Sequence, residues 1–372
     1  MLVTGGLGSG GAERVMSSMA EYWAERGWRV QLVTFSDRRV PDFYPVAGGV
    51  ERVWLDVTGG NHGLTRLTAN LGRILRLRRL VRASRPDVVL SFIDVPNVLT
   101  IMATRGLGLR VVVSERHEPG QTEPGGPFEG AYRLGRPWRI LRRLVYRWAS
   151  QVTTVNADAA DWLRSQCGVN VEVIPNPLRE LPLPGARREP LVLGVGRLAV
   201  QKGFDLLLQA FDMVAEQFPD WRLVVLGQGP EQARLERLRE GLNSAARIEL
   251  PGQVADVEQW MARAGLIVLP SRFEAYGNAI LESLGMGAAV ISTPCGGTPT
   301  FLSDGINGRL VPVEDVNALA AVMEELMANP EKRRLLGERA LKVRETNCQA
   351  AIMPRWERCL FPRISRPGSG RS

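Results

Sequence analysis

Lysine is almost absent from this chain. Lys202, Lys332 and Lys342 are the only three among 47 basic residues, and the rest are arginine. Cations still exceed acids, giving a formal net charge of +8, so anionic partners are expected: nucleotide phosphates, lipid headgroups or nucleic acid. Histidine occurs twice, as His62 and His117. The four cysteines, Cys167, Cys295, Cys348 and Cys359, lie far apart without metal-ligand spacing. That speaks against a metal site and reads as reduced thiols of a cytosolic protein. No apolar run nears the ~20 residues needed to span a bilayer. The three residues Met1-Leu2-Val3, ahead of Thr4-Gly5-Gly6, are too few for a signal peptide. The expected location is cytoplasmic. A composition of 45% apolar and 23% charged residues excludes wholesale disorder, and 372 residues suffice for two domains with sizeable cores.

The most informative stretch is 270–282, PSRFEAYGNAILE. The apolar run 266–269 before it reads as a buried strand. Ile280, Leu281 and Leu284, followed by Gly285 and Gly287, read as a short helix, with a turn and a helix N-cap expected at Gly277 and Asn278. The free N–H groups of such a helix start favour a phosphate. Glu274 and Glu282 flank the turn. In an uninterrupted helix they would stand roughly 80° and about 12 Å apart; with Glu274 in the loop, each can serve a different group. One carboxylate could hold a ribose and the other a second sugar, with a diphosphate between them. The plainer reading leaves Glu282 to favour the helix dipole and Glu274 as a solvated loop residue. Spacing alone leaves both open.

A second glycine-rich stretch follows the first predicted strand, 2–4. Gly6, Gly8 and Gly11 satisfy G-x-G-x-x-G ahead of a helix carrying Val15, Met16, Met19, Ala20 and Trp23 on one face. A dinucleotide-binding reading follows, although its acidic partner, Asp37, comes later than usual. It supports one rival function, a nicotinamide-dependent oxidoreductase. A basic nucleic-acid-binding protein is another, but no recognition motif of that class is present, and no nucleic acid partner is expected.

The stretch 270–312, PSRFEAYGNAILESLGMGAAVISTPCGGTPTFLSDGINGRLVP, resembles the nucleotide-sugar site of the family 4 retaining glycosyltransferases, which have the GT-B fold. Its Glu-x7-Glu is Glu274 to Glu282. GSGGAER resembles that family's glycine loop, and 196–203, GRLAVQKG, its diphosphate motif. The resemblance covers most of the chain and is strongest over 194–312. It implies two Rossmann-like doubly wound α/β domains facing a cleft, and sugar transfer with retention and without a metal. Glu274 would contact the donor sugar hydroxyls and Glu282 the ribose. Arg197 and Lys202 would clamp the diphosphate, stabilising the departing charge with fixed cations. Val254 would hold the base through its backbone. Gly10, Gly11, Tyr276, Gly277, Asn278, Ala279 and Ile280 complete the donor-binding set. His117, beside a Ser114-Glu115-Arg116 form of a family motif, joins Glu274 as a catalytic candidate. Two positions depart from the family: Ala289, where Pro is frequent, and Thr300, where Glu is frequent; the second puts any role of that Glu in doubt. No cofactor is implied beyond the nucleotide-diphospho-sugar itself. A nucleotide-sugar epimerase of the same fold is a further rival.

Two basic helices bear on the acceptor. In 64–85, Leu67, Leu71, Ile74 and Val81 share one face, with Arg66, Arg73 and Arg76 opposite. Such a run is either a solvated face or a cationic track; Arg73 and Arg76 are the candidates for an acceptor phosphate. In 138–148, Trp138, Ile140, Leu141, Leu144, Val145 and Trp148 cluster on one half and Arg139, Arg142, Arg143 and Arg147 on the other. This suits peripheral contact with an anionic membrane or packing on the chain's own domain. The expected acceptor is a glycan, free or linked to polyprenyl pyrophosphate. The segment 120–130, rich in Gly and Pro, is expected to be a mobile acceptor loop. The expected organisation is an acceptor domain over 1–178, a Pro-rich linker at 179–190 and a donor domain over 191–345. A C-terminal helix over 346–362 crosses back to the first domain, and 363–372 form a tail.

Overall fold

The computed structural model describes residues 1–8, 10–46, 48–56, 63–122, 135–182 and 187–362, with no account of the side chains of 63–67 and 122. His62, most of the segment 120–130, the side chain of Arg66 and the tail 363–372 lie outside the described residues. The chain divides into two compact units, Met1–Pro177 with Gln349–Ser372, and Leu178–Cys348.

The first unit holds a seven-stranded sheet of β1 (Leu2–Thr4), β2 (Val30–Thr34), β3 (Val50–Trp54), β4 (Val88–Phe92), β5 (Arg110–Ser114), β6 (Gln151–Thr154) and β7 (Val171–Val173). The order is β3-β2-β1-β4-β5-β6-β7 and every pairing is parallel. Parallel strands need helical crossovers, and these cover both faces, so the strands read as continuous apolar runs: β2 and β4 are buried at every residue. The order reverses between β1 and β4, and loops leaving the two strands part there to opposite sides, which opens a crevice at their carboxyl ends.

One face of this sheet packs Met16, Met19 and Trp23 of helix Gly11–Glu25 with Leu90 and Phe92 of β4, and with Ile352, Met353 and Trp356 of helix Gln349–Leu360. Trp356 is fully buried, its ring 5.9 Å from that of Phe92. Polar ties hold the helix: Arg110 Nη2 donates to Cys359 O at 2.8 Å, and Gln349 Nε2 to Ser18 Oγ at 2.8 Å. The chain therefore returns to the first unit after completing the second.

Two expected helix faces are corrected. In helix Gly63–Ser84 the buried line runs through Asn70, Leu77 and Val81, while Leu71 is 56% exposed. The contacting face is rotated toward Leu77, because the helix packs on Asp94–Thr104 and not only on the sheet. In helix Arg136–Val145, Arg142 is 1% exposed rather than on a solvated cationic side, whereas Ile140 and Leu144 are each 49% exposed. Arg142 turns inward because a buried carboxylate, Glu115, lies 3.7 Å from its guanidinium.

The second unit holds β8 (Glu189–Val195), β9 (Arg222–Leu226), β10 (Ile248–Gly252), β11 (Ala264–Leu269), β12 (Val290–Ser292) and β13 (Arg309–Leu310), all parallel, in the order β10-β9-β8-β11-β12-β13. The switch in order lies between β8 and β11. Both sheets are thus doubly wound, as the resemblance implies. Within this unit Arg344 Nε donates to Gly285 O at 2.6 Å, and Leu178 N to Asn347 O at 2.6 Å, so its first and last segments lie together.

Trp356→Ala should destabilise the first unit by about 3–5 kcal/mol. Amide hydrogen exchange would show it as protection lost in β1, β4 and helix Gly11–Glu25. Unchanged protection there would mean that the C-terminal helix is not part of that core.

Candidate functional site

Two loops leave the switch point of the second sheet, 196–203 after β8 and 270–277 after β11, and they are joined to each other. Arg272 N donates to Gln201 O at 2.8 Å, Arg272 Nη1 to Val200 O at 2.8 Å, and Gln201 Nε2 to Phe273 O at 3.0 Å. Gly203, at φ +66°, lies so close that a Cβ there would come within 2.2 Å of Pro270 O. The Arg272 guanidinium grips both oxygens of Asp205 at 2.9 Å and Glu314 at 2.9 Å. Burial works to raise the Asp205 carboxyl, but the hydrogen bonds and charge of Arg272, the charge of Arg234 and a backbone hydrogen bond together hold it below the usual range.

This frame fixes Glu274. It is 8% exposed, and its Oε1 accepts from Ser271 Oγ at 2.9 Å and from Lys202 Nζ. On the other side, Gly296 at φ +54° presses so closely that a Cβ would lie 1.7 Å from Glu274 O. Thr293 Oγ1 donates to Ser271 O at 2.6 Å and Gly297 N to Ala275 O at 3.1 Å. The reading of Glu274 as a solvated loop residue is therefore corrected: a lone buried carboxylate would be costly, and the Lys202 ammonium supplies its counter-charge. Lys202 comes from one loop and Glu274 from the other, so the ion pair forms only because the loops are joined.

Helix Asn278–Gly285 begins beyond Gly277, which stands as the N-cap at φ +86° in place of Asn278 and has no side chain to cap the helix. Its first-turn N–H groups form an anion-favouring end. Glu282 is 6% exposed with its Oε1 3.7 Å from Arg179 Nε, so it is an ion-paired interior carboxylate. Tyr276 and Ile280 turn their side chains inward, the Tyr276 hydroxyl accepting from Asn347 Nδ2 at 3.1 Å, and Ile280 N donates to Gly277 O at 3.0 Å. Arg197 is exposed and makes no ion pair with any described residue. Val254, half-buried, follows β10. Thr300 Oγ1 donates to Gly297 O at 2.6 Å, closing a turn. No pattern in the sequence singles out Ser271, Arg272 or Asp205, the residues that brace Glu274 and its loop; only their contacts reveal them.

The remaining candidates belong to the first unit. Gly10 is the N-cap of helix Gly11–Glu25, and Glu13 folds over it, leaving 2.2 Å between its Oε2 and a Cβ at Gly10. His117 lies beside a buried polar cluster that the sequence did not disclose. Glu115 accepts from Tyr146 Oη at 3.0 Å and from Arg116 N at 3.2 Å, with Arg142 Nη1 3.7 Å away. Asn97 Nδ2 donates to Tyr146 Oη at 3.1 Å and to Ser114 O at 2.9 Å. Burial, joined by the charge of Asp94, pushes the Glu115 carboxyl up to about 7 against the pull of Arg142 and Tyr146. Burial lowers His117, Asp94 opposing and Arg142 assisting, so its imidazole is held neutral more readily than in water. Arg73 Nη1 donates to Asn70 Oδ1 at 2.7 Å; Arg76 Nη1 donates to Leu55 O at 2.6 Å and Asp56 O at 3.0 Å.

Residues 189–329 match the family model described as "Glycosyl transferases group 1", and residues 9–179 that described as "Glycosyltransferase Family 4". Among curated proteins, an exopolysaccharide phosphotransferase of Streptomyces coelicolor is 26% identical over 98% of this chain and 41% of its own length. The chain thus spans about two fifths of that relative. The GalNAc-alpha-(1->4)-GalNAc-alpha-(1->3)-diNAcBac-PP-undecaprenol alpha-1,4-N-acetyl-D-galactosaminyltransferase of Campylobacter jejuni is 25% identical over 88% of each chain. Among solved structures, Anabaena HepE in complex with UDP-glucose superposes with a TM-score of 0.77 at 17% identity, over 97% of this chain and 99% of that one. The structural likeness speaks for the fold.

The Glu115 cluster makes stability depend on pH. A carboxyl whose folded pKa is raised binds more protons in the folded than in the unfolded state, so its contribution is lost as pH rises from about 4.5 through about 7. His117, with a lowered pKa, acts oppositely over the upper part of this range. Urea unfolding of Glu115→Gln against the parent at pH 5 and pH 7.5 should show the variant gaining relative stability at the higher pH. A difference independent of pH would exclude a raised Glu115.

Proposed function

The chain belongs to glycosyltransferase family 4, and from that premise we propose that it moves a sugar from a nucleotide-diphospho-sugar to a glycan or lipid-linked acceptor, with retention and without a metal. The observation that carries the reading is the Lys202–Glu274 pair at the switch point of the second sheet, beside the uncapped start of helix Asn278–Gly285. Ligands of doubly wound sheets sit at that position.

In this reading the diphosphate rests on the helix start, with Arg197 and Lys202 as its cations. Glu274 takes the sugar hydroxyls, Glu282 the ribose, and the backbone at Val254 the base. Gly10, Gly11 and His117 are assigned to donor and sugar by the family pattern. No cofactor is needed beyond the donor. When the anomeric C–O bond breaks, the departing diphosphate gains charge, and the fixed cations stabilise it without reorganising. The acceptor hydroxyl attacks from the face the leaving group vacates and passes its proton to a departing phosphate oxygen, which retains configuration. Glu274, fixed by Ser271 and Lys202, orients the sugar through the transition state and forms no bond to it.

The name of the Campylobacter relative supports a polyprenyl-pyrophosphate-linked acceptor. Among the described residues no helix is long and apolar enough to cross a membrane. Peripheral contact is the proposed alternative, at a cytoplasmic membrane face. Ile140, Leu144 and Trp148, spaced at single turns, are 43–49% exposed. Arg143 and Arg147 are exposed beside them, and Arg105 stacks on Trp148 at 4.7 Å. An apolar stripe with a cationic border suits an anionic bilayer surface.

Glu274→Gln should lose about 100-fold or more in kcat, as for a mispositioned substrate, while the nucleoside diphosphate still raises the melting temperature. Full activity would remove Glu274 from the chemistry. The same thermal assay on the parent, with UDP, GDP, ADP, NAD and NADP, should respond to one nucleoside diphosphate; a response to NAD or NADP alone would overturn the transferase reading. Leu144→Glu/Trp148→Glu should abolish co-sedimentation with anionic vesicles, and undiminished binding would place the membrane contact elsewhere.

A further inference from the structure

A cavity of about 510 Å3 in the first unit is lined by Asp37, Arg38, Arg39 and Asp56. It lies at the carboxyl ends of β2 and β3, outside any residue the family pattern assigns. We propose that it is a subsite for a phosphate or diphosphate group, held by Arg38, Arg39 and Arg76. Its description as part of the acceptor rests on the transferase reading above; the anion site itself does not.

The carboxylates of this cavity are engaged by the backbone. Asp37 Oδ1 accepts from Arg39 N at 2.8 Å, and with Val40 N donating to Asp37 O at 3.0 Å it closes a turn. Asp56 Oδ1 accepts from Arg38 N at 2.7 Å and so ties the end of β3 to the turn after β2. Asp56 holds φ +45° to do so, a left-handed conformation that aspartate tolerates better than most residues. Neither carboxylate forms an ion pair with a guanidinium of the cavity.

The guanidinium groups are correspondingly unneutralised. Arg39 is exposed, and its side chain makes no hydrogen bond or ion pair with any described residue. Arg38 is exposed and stacks over Trp54 at 5.5 Å. Arg76 uses Nη1 on two carbonyl oxygens, those of Leu55 and Asp56, at the cavity's edge. Arg52 shows the contrast. It covers Trp54 at 4.3 Å, and Asp42 neutralises it through two hydrogen bonds of 2.7 and 2.8 Å. The chain thus neutralises the arginine beside the cavity and leaves three others without an ion pair among the described residues. Three guanidinium groups against two carboxylates leave the site positive, and arginine forks match phosphate oxygens in pairs. The volume falls within the ~300–1,000 Å3 of small-molecule sites. The turn also borders the first glycine loop, since Phe43 N donates to Leu7 O at 2.8 Å.

The test is calorimetric titration of inorganic pyrophosphate at fixed ionic strength into the full chain, with and without Arg38→Ala/Arg39→Ala. It is repeated in an Arg197→Ala background, so that any contribution of the donor site is common to each pair. Removal of Arg38 and Arg39 should weaken pyrophosphate binding at least about tenfold in both backgrounds. Arg39→Ala alone, whose side chain has no hydrogen bond or ion pair to lose among the described residues, should weaken it several-fold, and this guards against a folding defect. Equal affinity with and without the two arginines overturns the proposal. Vesicles containing a polyprenyl pyrophosphate and a soluble sugar phosphate form two further arms, and dependence on Arg38 and Arg39 in one of them identifies the source of the anion. Failure of the transferase reading would be seen separately, as a parent chain that no nucleoside diphosphate stabilises while the pyrophosphate effect stands.

Discussion

A carboxylate withdrawn from water needs a counter-charge, and the site in the second unit is built around that requirement. Glu274 can be buried because Lys202 reaches it, and Lys202 reaches it because the loops after β8 and β11 are joined through Arg272, Gln201 and the bare Cα of Gly203. Losing the pair would strand one buried charge, a loss of about 3–5 kcal/mol. Replacing both partners by apolar groups would remove that penalty. The arrangement is better explained by position than by stability. It holds an ammonium and a carboxylate at a fixed separation at the carboxyl ends of two adjacent parallel strands, beside an uncapped helix start.

The first unit meets the same requirement differently. Glu115 is screened by Arg142, Tyr146 and a backbone N–H, and Arg142 lies over the ring of Trp162 at 4.7 Å. Here the compensation is incomplete, and the carboxyl rises to about 7. One buried acid is held by a close ammonium from a joined loop; the other shares a more distant guanidinium and a phenol. Burial is the main cause of that rise, and the neighbouring charge of Asp94 adds to it.

How much of this was legible in the sequence depended on whether the signal was local. The doubly wound fold was legible, because buried parallel strands are unbroken apolar runs and each glycine-rich turn follows one of them. The Glu-x7-Glu pattern and the Gly-Arg-x4-Lys-Gly run mark the two loops that meet at the switch point of the second sheet. What brings Lys202 to Glu274 was not legible: Arg272, Asp205 and Ser271 are ordinary polar residues whose role appears only once two distant loops meet. β3, with the pattern Val-Glu-Arg-Val-Trp, escaped notice because an edge strand carries charges at its half-buried positions. Arg142 was misread because a helical wheel treats every arginine as solvated, and the carboxylate that draws it inward is far off in the chain. Leu71 was misread because the wheel fixes a period but not the side from which the neighbouring helix approaches.

The C-terminal helix carries a consequence for how the protein is made. Ile352, Met353 and Trp356 fill a space between helix Gly11–Glu25 and the sheet that no earlier residue occupies. On the ribosome, the first unit therefore emerges with its strands complete and an apolar groove uncovered. It stays so while the whole of Leu178–Cys348 is translated and folds. Vectorial synthesis gives the second unit the opportunity to close first, although it lies later in the chain. During that interval the groove is a surface that a chaperone could shield or that a neighbouring nascent chain could occupy. A ribosome that stops before the codons of Gln349–Leu360 would release a finished second unit tethered to a first unit still lacking one wall.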